Sequence, residues 1–312
     1  MPAPFSRRLA RLTLIVAATV AFASLATPAL ADTDARRPPL AAALEPVTQD
    51  VRPEPTTGSI GGPRVDVEPG GPAPTTATPS ALNLFKADAF RYQDPNYYAC
   101  TATSALVMLN LIAHNGKGGS GFRWVPRLAL STVESILAWE RTHDTLAGGN
   151  GSDPHGWRNA LNYYGWGSGA LSSGSRVYDD FAYSSYARAV KNAVRQLIRT
   201  RKPVGILAWG GRHAQFITGY DGLSGNPFAK DGRGRYTNQF TVASVYLSDP
   251  LKSDGWVNAK VSYSALGSST NAKLRFVPYG ETDSPYDDPY TAGTWAARDE
   301  WLNRWVIIAP IK

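Results

Sequence analysis

Pro203-Val204-Gly205-Ile206-Leu207-Ala208-Trp209-Gly210-Gly211-Arg212-His213-Ala214-Gln215-Phe216-Ile217-Thr218-Gly219-Tyr220 sets two apolar runs on either side of a glycine pair. Runs of this length bounded by turn residues predict two strands, Pro203–Trp209 and His213–Tyr220, joined at Gly210-Gly211. Everything before this stretch reads as helix and almost everything after it as strand. Upstream, an apolar helix spans 100–113 and a second runs from Ser131 to Arg141. A third starts at the N-cap Asp153 with Pro154 in its first turn and stops at Gly165. An amphipathic helix covers Ser185–Thr200. Downstream, strands are expected at Gln239–Leu247, Ala272–Tyr279 and Trp305–Ile308, after a Gly-rich loop over Asp221–Arg235. Helices followed by antiparallel strands indicate an α+β fold with the two kinds of element segregated.

The region that must fold is bounded by composition. All nine tryptophans and fifteen tyrosines follow Phe85, so residues 85–312 carry the aromatic core of one domain. Residues 32–84 contain ten prolines and no aromatic residue. Such a segment buries too little apolar surface to offset its ordering entropy and reads as a disordered linker or a pro-region. Ahead of it, Arg7, Arg8 and Arg11 precede an apolar stretch and then Ala29-Leu30-Ala31, the order of a secretory signal peptide over 1–31 with cleavage near Ala31. The expectation is a secreted, extracytoplasmic protein with no transmembrane segment once the signal is removed.

The formal net charge is +7, but three arginines belong to the signal stretch, and 29 basic against 25 acidic residues leaves +4. Arg188, Lys191, Arg195 and Arg199 recur at helical spacing and predict a solvated basic face rather than a nucleic-acid partner. One cysteine cannot close an intramolecular disulfide or supply a multi-cysteine zinc site. No metal or organic cofactor is implied, and the oligomeric state is not legible.

That cysteine, Cys100, stands where the loop Gln93–Ala99 meets the first apolar helix. A thiol there faces unpaired amides and the positive end of the helix dipole, which favour the thiolate. Position alone leaves a nucleophile and an inert buried cysteine equally open. A nucleophile needs a base, and the chain has four histidines. His114 ends the Cys100 helix, roughly 20 Å away at 1.5 Å per residue. His143 and His155 flank a polar Gly-rich loop, where solvated or capping roles are expected. His213 opens a strand between apolar runs, where a polar ring faces a cleft or a costly burial. Asp249, in Leu247-Ser248-Asp249-Pro250, could orient the ring if its strand neighbours that of His213, although an aspartate before proline is also a common turn residue. Gln93 could join the Cys100 backbone N–H as an oxyanion donor.

Taken together, Tyr92-Gln93-Asp94-Pro95-Asn96-Tyr97-Tyr98-Ala99-Cys100-Thr101-Ala102-Thr103-Ser104-Ala105 resembles the glutamine-to-cysteine motif of papain-like cysteine peptidases. The branch it is most similar to is that of the bacteriocin-processing, double-glycine peptidases. The stretch from Lys202 through Gly211-Arg212-His213 to Gly219-Tyr220-Asp221 resembles that branch's histidine motif, and Val245-Tyr246-Leu247-Ser248-Asp249-Pro250 its aspartate motif. Asp153-Pro154-His155-Gly156-Trp157 resembles a helix that often lies between them. The resemblance implies a papain-like fold, with a helical half whose Cys helix packs on an antiparallel sheet carrying His and Asp. It implies Cys100 as nucleophile, His213 as base, Asp249 as orienter and Gln93 as oxyanion donor. Thr101-Ala102 stands where the family usually has Gly-Pro, and leader peptides of a fused transporter are not carried over as substrate. The expected activity is a secreted thiol hydrolase acting on a peptide or protein substrate, which could be cell-envelope associated. The alternatives are an amidase or acyltransferase with the same triad, and an inactive envelope-associated binding protein on the same scaffold.

Overall fold

The computed structural model describes residues 63–145, 151–271, 274–280 and 301–312. The stretch read as a signal peptide therefore lies outside the described residues, as does the linker up to residue 62. Among the described residues the fold is α+β, with a sheet of eight strands and five α-helices. In chain order these are β1 (Arg64–Val65), β2 (Leu82–Asn83), α1 (Cys100–His114), α2 (Leu130–Glu140), α3 (Pro154–Trp166), β3 (Tyr178–Tyr183), α4 (Tyr186–Thr200), β4 (Val204–Ala208), β5 (His213–Asp221), β6 (Ser244–Ser248), β7 (Ala259–Ser262), α5 (Tyr263–Leu266) and β8 (Trp305–Pro310). No helix among the described residues is long and apolar enough to cross a membrane.

The sheet runs β1-β3-β8-β4-β5-β6-β7, with β2 paired to β5 off that path. β4 and β5 form the hairpin expected around Gly210-Gly211, pairing from Val204 with Ile217 to Ala208 with His213. β4 leaves β5 at Ile217, and β2 takes over the same strand at Gly219 and Tyr220. Every pair is antiparallel except β1 with β3. Helices cover both faces. On one side α1, α2 and α3 bury Leu106, Leu109, Ile136 and Trp157 against Phe216 and Ile308. On the other, Val190, Val194 and Leu197 of α4 pack with Ile206, Ile217 and Ile307. Alternate residues of β8, Val306 and Ile308 against Ile307 and Ala309, feed the two cores, as strand geometry requires.

Several boundaries differ from the reading of the sequence. α3 has the N-cap Asp153, whose side chain accepts from the Gly156 N–H, but it runs past Gly165 to Trp166, and Gly167 at φ +95° ends it. The strand expected at Gln239–Leu247 starts only at Ser244, after Asn238 at φ +56°. Residues 274–279 form no strand; Arg275 takes φ +27°, and Tyr279 makes a single bridge to Leu302. β3 was not anticipated, because Asp179 and Asp180 look incompatible with a strand that is buried along its whole length. Cations resolve the conflict. Arg64 Nε lies 2.7 Å from Asp179 and Arg176 Nη1 3.1 Å from it, while Arg158 Nη1 lies 2.5 Å from Asp180.

The disordered segment expected through residue 84 is corrected over 63–84. This strap adds β1 to the edge of β3 and β2 to β5, and it crosses α4 between them. The basic row of α4 is accordingly not a solvated face. Arg188 pairs with Asp66 at 2.9 Å, and the wholly buried Arg195 pairs with Glu68 at 3.2 Å. Gln196 donates to the Pro69 carbonyl, and Lys191 to that of Asn238. Asp66 and Glu68 of the strap thus pair with two of the four cations on the helix face that spacing alone marked as exposed.

Candidate active site

α1 is buried around its whole circumference, with Thr101 through Ile112 all inside, so its axis is fixed between sheet and helices. Its first residue is Cys100, which is half-buried. The N-cap is Ala99, whose side chain has nothing to cap the helix with, so no side chain competes for the first-turn amides. The incoming loop is tied down by Gln93, whose backbone N–H donates to the Pro250 carbonyl at 2.8 Å. That bond joins the two segments that carry Cys100 and Asp249.

β5 begins at His213, immediately after the turn Trp209–Gly211. The ring is 3% exposed. Its Nε2 lies 2.7 Å from Asp249 Oδ1, and the Cys100 side chain is near enough to act on the ring electrostatically. With Nε2 on Asp249, a proton exchange with the thiol would have to use Nδ1. Trp209, held at φ +56°, stacks on the ring with centroids 4.3 Å apart. Burial disfavours the charged ring, but the Asp249 carboxylate, together with the Cys100 side chain, outweighs it and holds the imidazole well above its ordinary pKa.

Asp249 follows β6, which neighbours β5 in the sheet. It is fully buried and its two oxygens are divided. Oδ1 faces His213 and accepts from the Leu251 N–H at 2.7 Å. Oδ2 accepts from Gln215 Nε2 at 2.7 Å. Gln215 was not singled out from the sequence, although its position two residues along the His213 strand was a usable signal, since residues i and i+2 share a face.

Cys100, His213 and Asp249 are therefore brought together, with His213 bonded to Asp249 and within electrostatic reach of Cys100. Gln93 is 1% exposed, and its Nε2 donates to the Tyr97 carbonyl at 2.6 Å, within the loop that leads to Cys100. Its Oε1 has no partner among the described residues. The other histidines lie elsewhere. His114 is 3.6 Å from Asp88, and His143 stacks on Trp139 with centroids 3.6 Å apart. His155, expected in a solvated or capping role, is fully buried beside Asp180 at 3.3 Å and accepts or donates at Thr145 Oγ1, 2.9 Å away. It packs beside the same Asp180 carboxylate that Arg158 pairs with.

One further group was missed. Glu140, the last residue of α2, is fully buried and accepts from Thr101 Oγ1 at 2.7 Å. Its Oε1 has no partner among the described residues. Burial pushes its carboxyl well above the usual range; Thr101 opposes the shift, while Cys100, Asp144 and Asp153 add to it. A neutral acid thus anchors the residue next to the thiol. A glutamate ending an amphipathic helix gives no sign of this in sequence. No family model, curated protein or solved structure matches the chain.

Proposed function

We propose that the chain is a secreted thiol hydrolase with a papain-like fold, cleaving peptide or amide bonds through Cys100, His213 and Asp249. The observation that carries this reading is the gathering of the Cys100 side chain, the His213 ring and the buried Asp249 carboxylate, the last two 2.7 Å apart. An imidazole held well above its ordinary pKa beside a thiol at a helix start is suited to take and return the thiol's proton.

In this mechanism the Cys100 thiolate attacks the carbonyl carbon and the π electrons move onto oxygen. The Cys100 backbone N–H stabilises that oxyanion, with the second amide proton of Gln93 as a further donor. The His213 imidazolium protonates the departing amine as the C–N bond breaks, leaving a thioester. Neutral His213 then takes a proton from water, hydroxide attacks the thioester, and the thiol is regenerated as acid is released. Asp249 holds the ring in place throughout.

The test is hydrolysis of a mixed peptide and amide substrate panel by wild type and Cys100→Ala. The variant is expected to lose activity by at least about 10³-fold and to lose iodoacetamide labelling while its far-UV spectrum is unchanged. Equal turnover by the alanine variant would sink the reading. A second reading, an inactive binding protein on the same scaffold, draws on the amide proton that Gln93 gives to Tyr97. It predicts slow alkylation at neutral pH and no turnover of the panel. Product analysis with added amine nucleophiles separates hydrolysis from acyl transfer.

A further inference from the structure

The loop between α1 and α2 presents two kinds of surface side by side. Val125 and Leu128 are 63% and 43% exposed, and Pro126 between them is exposed as well. Large apolar side chains standing out this far are otherwise confined, among the described residues, to Val67. Interleaved with them are Arg123 and Arg127. Arg123 lies over the Tyr163 ring at 5.3 Å and donates to the Tyr163 carbonyl at 2.8 Å. Arg127 lies over the Trp124 ring at 5.4 Å. Each guanidinium is oriented by an aromatic face, which leaves the donors along its edge available. Neither has a carboxylate partner among the described residues, whereas Arg64, Arg158, Arg176, Arg188 and Arg195 all do.

A cavity of about 530 Å³ lies at these arginines. The hydroxyl residues Ser131, Thr132 and Ser135 of α2 line it too. α2 starts at Leu130, and its N-cap Ala129 offers no side-chain acceptor for the first amides. Ser135 donates its hydroxyl to the Ser131 carbonyl at 2.7 Å, so two oriented cations, the hydroxyls of Ser131 and Thr132 and an uncapped helix start make one wall suited to a tetrahedral oxyanion. The rim is apolar.

The rim selects among ligands. A soluble anion gains nothing from exposed Val125, Pro126 and Leu128. A glycan would need open aromatic faces, and those of Tyr163 and Trp124 already carry Arg123 and Arg127. A phospholipid uses both parts, its phosphodiester in the cationic cavity and its acyl region against the apolar rim. We propose that this loop and cavity form a docking site for anionic phospholipid at a membrane surface. The site stands apart from the hydrolase reading. Glu140, beside the Cys100 helix start, ends α2 at the opposite end from the cavity, and eleven helical residues span about 16 Å. Docking at the α2 start therefore leaves the Cys100 end clear.

The experiment uses the full chain with phosphatidylcholine vesicles, with and without phosphatidylglycerol, in a co-sedimentation assay. Wild type is expected to partition onto the anionic vesicles, and less so as salt rises. Arg123→Gln with Arg127→Gln is expected to weaken partitioning about fivefold per arginine. Val125→Asp with Leu128→Asp is expected to weaken it at least tenfold on the scale of buried apolar area, while the far-UV spectrum and melting temperature match wild type. Should the aspartate pair fail to fold, Leu128→Ser with Val125→Ser provides the same comparison. The proposal is overturned if wild type does not sediment with anionic vesicles, or if neither pair of substitutions changes its partitioning. It is also overturned if polygalacturonate binds as tightly as the vesicles and the rim substitutions leave both unchanged, which would make the partner an acidic glycan.

Discussion

Gln215 donates its side-chain amide to Asp249 Oδ2 from the same strand that carries His213, so one strand supplies both the ring and the clamp on its carboxylate. Gln215→Leu would leave a buried carboxylate oxygen short of a donor, at a cost of about 1–3 kcal/mol. Freed from Oδ2, Asp249 can rotate away from the ring. We expect Cys100 alkylation and any turnover to fall at least about tenfold, with Gln215→Asn less impaired than Gln215→Leu. Equal alkylation rates in all three proteins would remove Gln215 from the site.

The raised pKa of His213 has a sign that can be checked. Its folded value exceeds the unfolded value of about 6.5. The stability it contributes is thus complete below about pH 6.5 and is lost as pH rises through the folded pKa. Unfolding free energy should decline on the alkaline side of neutrality, and His213→Gln should flatten that decline. Because the Cys100 side chain helps raise the ring, its NMR titration midpoint should move down in Cys100→Ala.

Glu140 gives a separate pH signature. Its folded pKa lies above the unfolded value of about 4.3, so ionising it costs stability as pH rises from there. Glu140→Gln keeps an acceptor for Thr101 and has no proton to lose. Relative to wild type it should gain stability between pH 4.5 and pH 8 in urea titrations. Glu140→Ala also has no proton to lose but leaves the Thr101 hydroxyl without its buried acceptor, so it should cost about 2–4 kcal/mol at pH 4.5 and less at pH 8.

The strap predicts where the chain can be shortened. Removing residues 1–62 leaves β1, β2 and the Asp66 and Glu68 ion pairs in place, and a cooperative thermal transition should survive. Removing residues 1–84 strips Glu68 from the buried Arg195 and Asp66 from Arg188. An uncompensated buried charge alone costs about 3–5 kcal/mol, so this form should unfold at much lower urea or not fold at all. Glu68→Gln, which keeps the shape, should cost about 1–2 kcal/mol.

Much of this arrangement is legible in the residues themselves. The apolar run after Cys100, the Asp153-Pro154 helix start and the glycine pair before His213 are local signals, and local chemistry decides them. The α+β order follows from those signals. What escaped depends on partners distant in sequence. Asp179 and Asp180 look like loop residues until Arg64 and Arg158 arrive from two other segments to join the neighbouring Arg176. The α4 arginines look solvated until Asp66 and Glu68 cross them. Likewise Gln215 and Glu140 carry no pattern of their own, since their importance lies in Asp249 and Thr101. Periodicity reports which face is apolar; it does not report which charges meet.

β1 does one thing that its two residues do not advertise. By pairing with Phe181 and Ala182 it occupies the outer side of β3, a strand that would otherwise end the sheet with free backbone donors and acceptors. Unpaired edges of this kind recruit strands from other molecules. A cut anywhere in 66–81 would detach that cover while leaving Cys100, His213 and Asp249 covalently intact. The strap thus sets the colloidal fate of the protein: a nicked chain keeps every residue of its site in sequence but gains an adhesive rim.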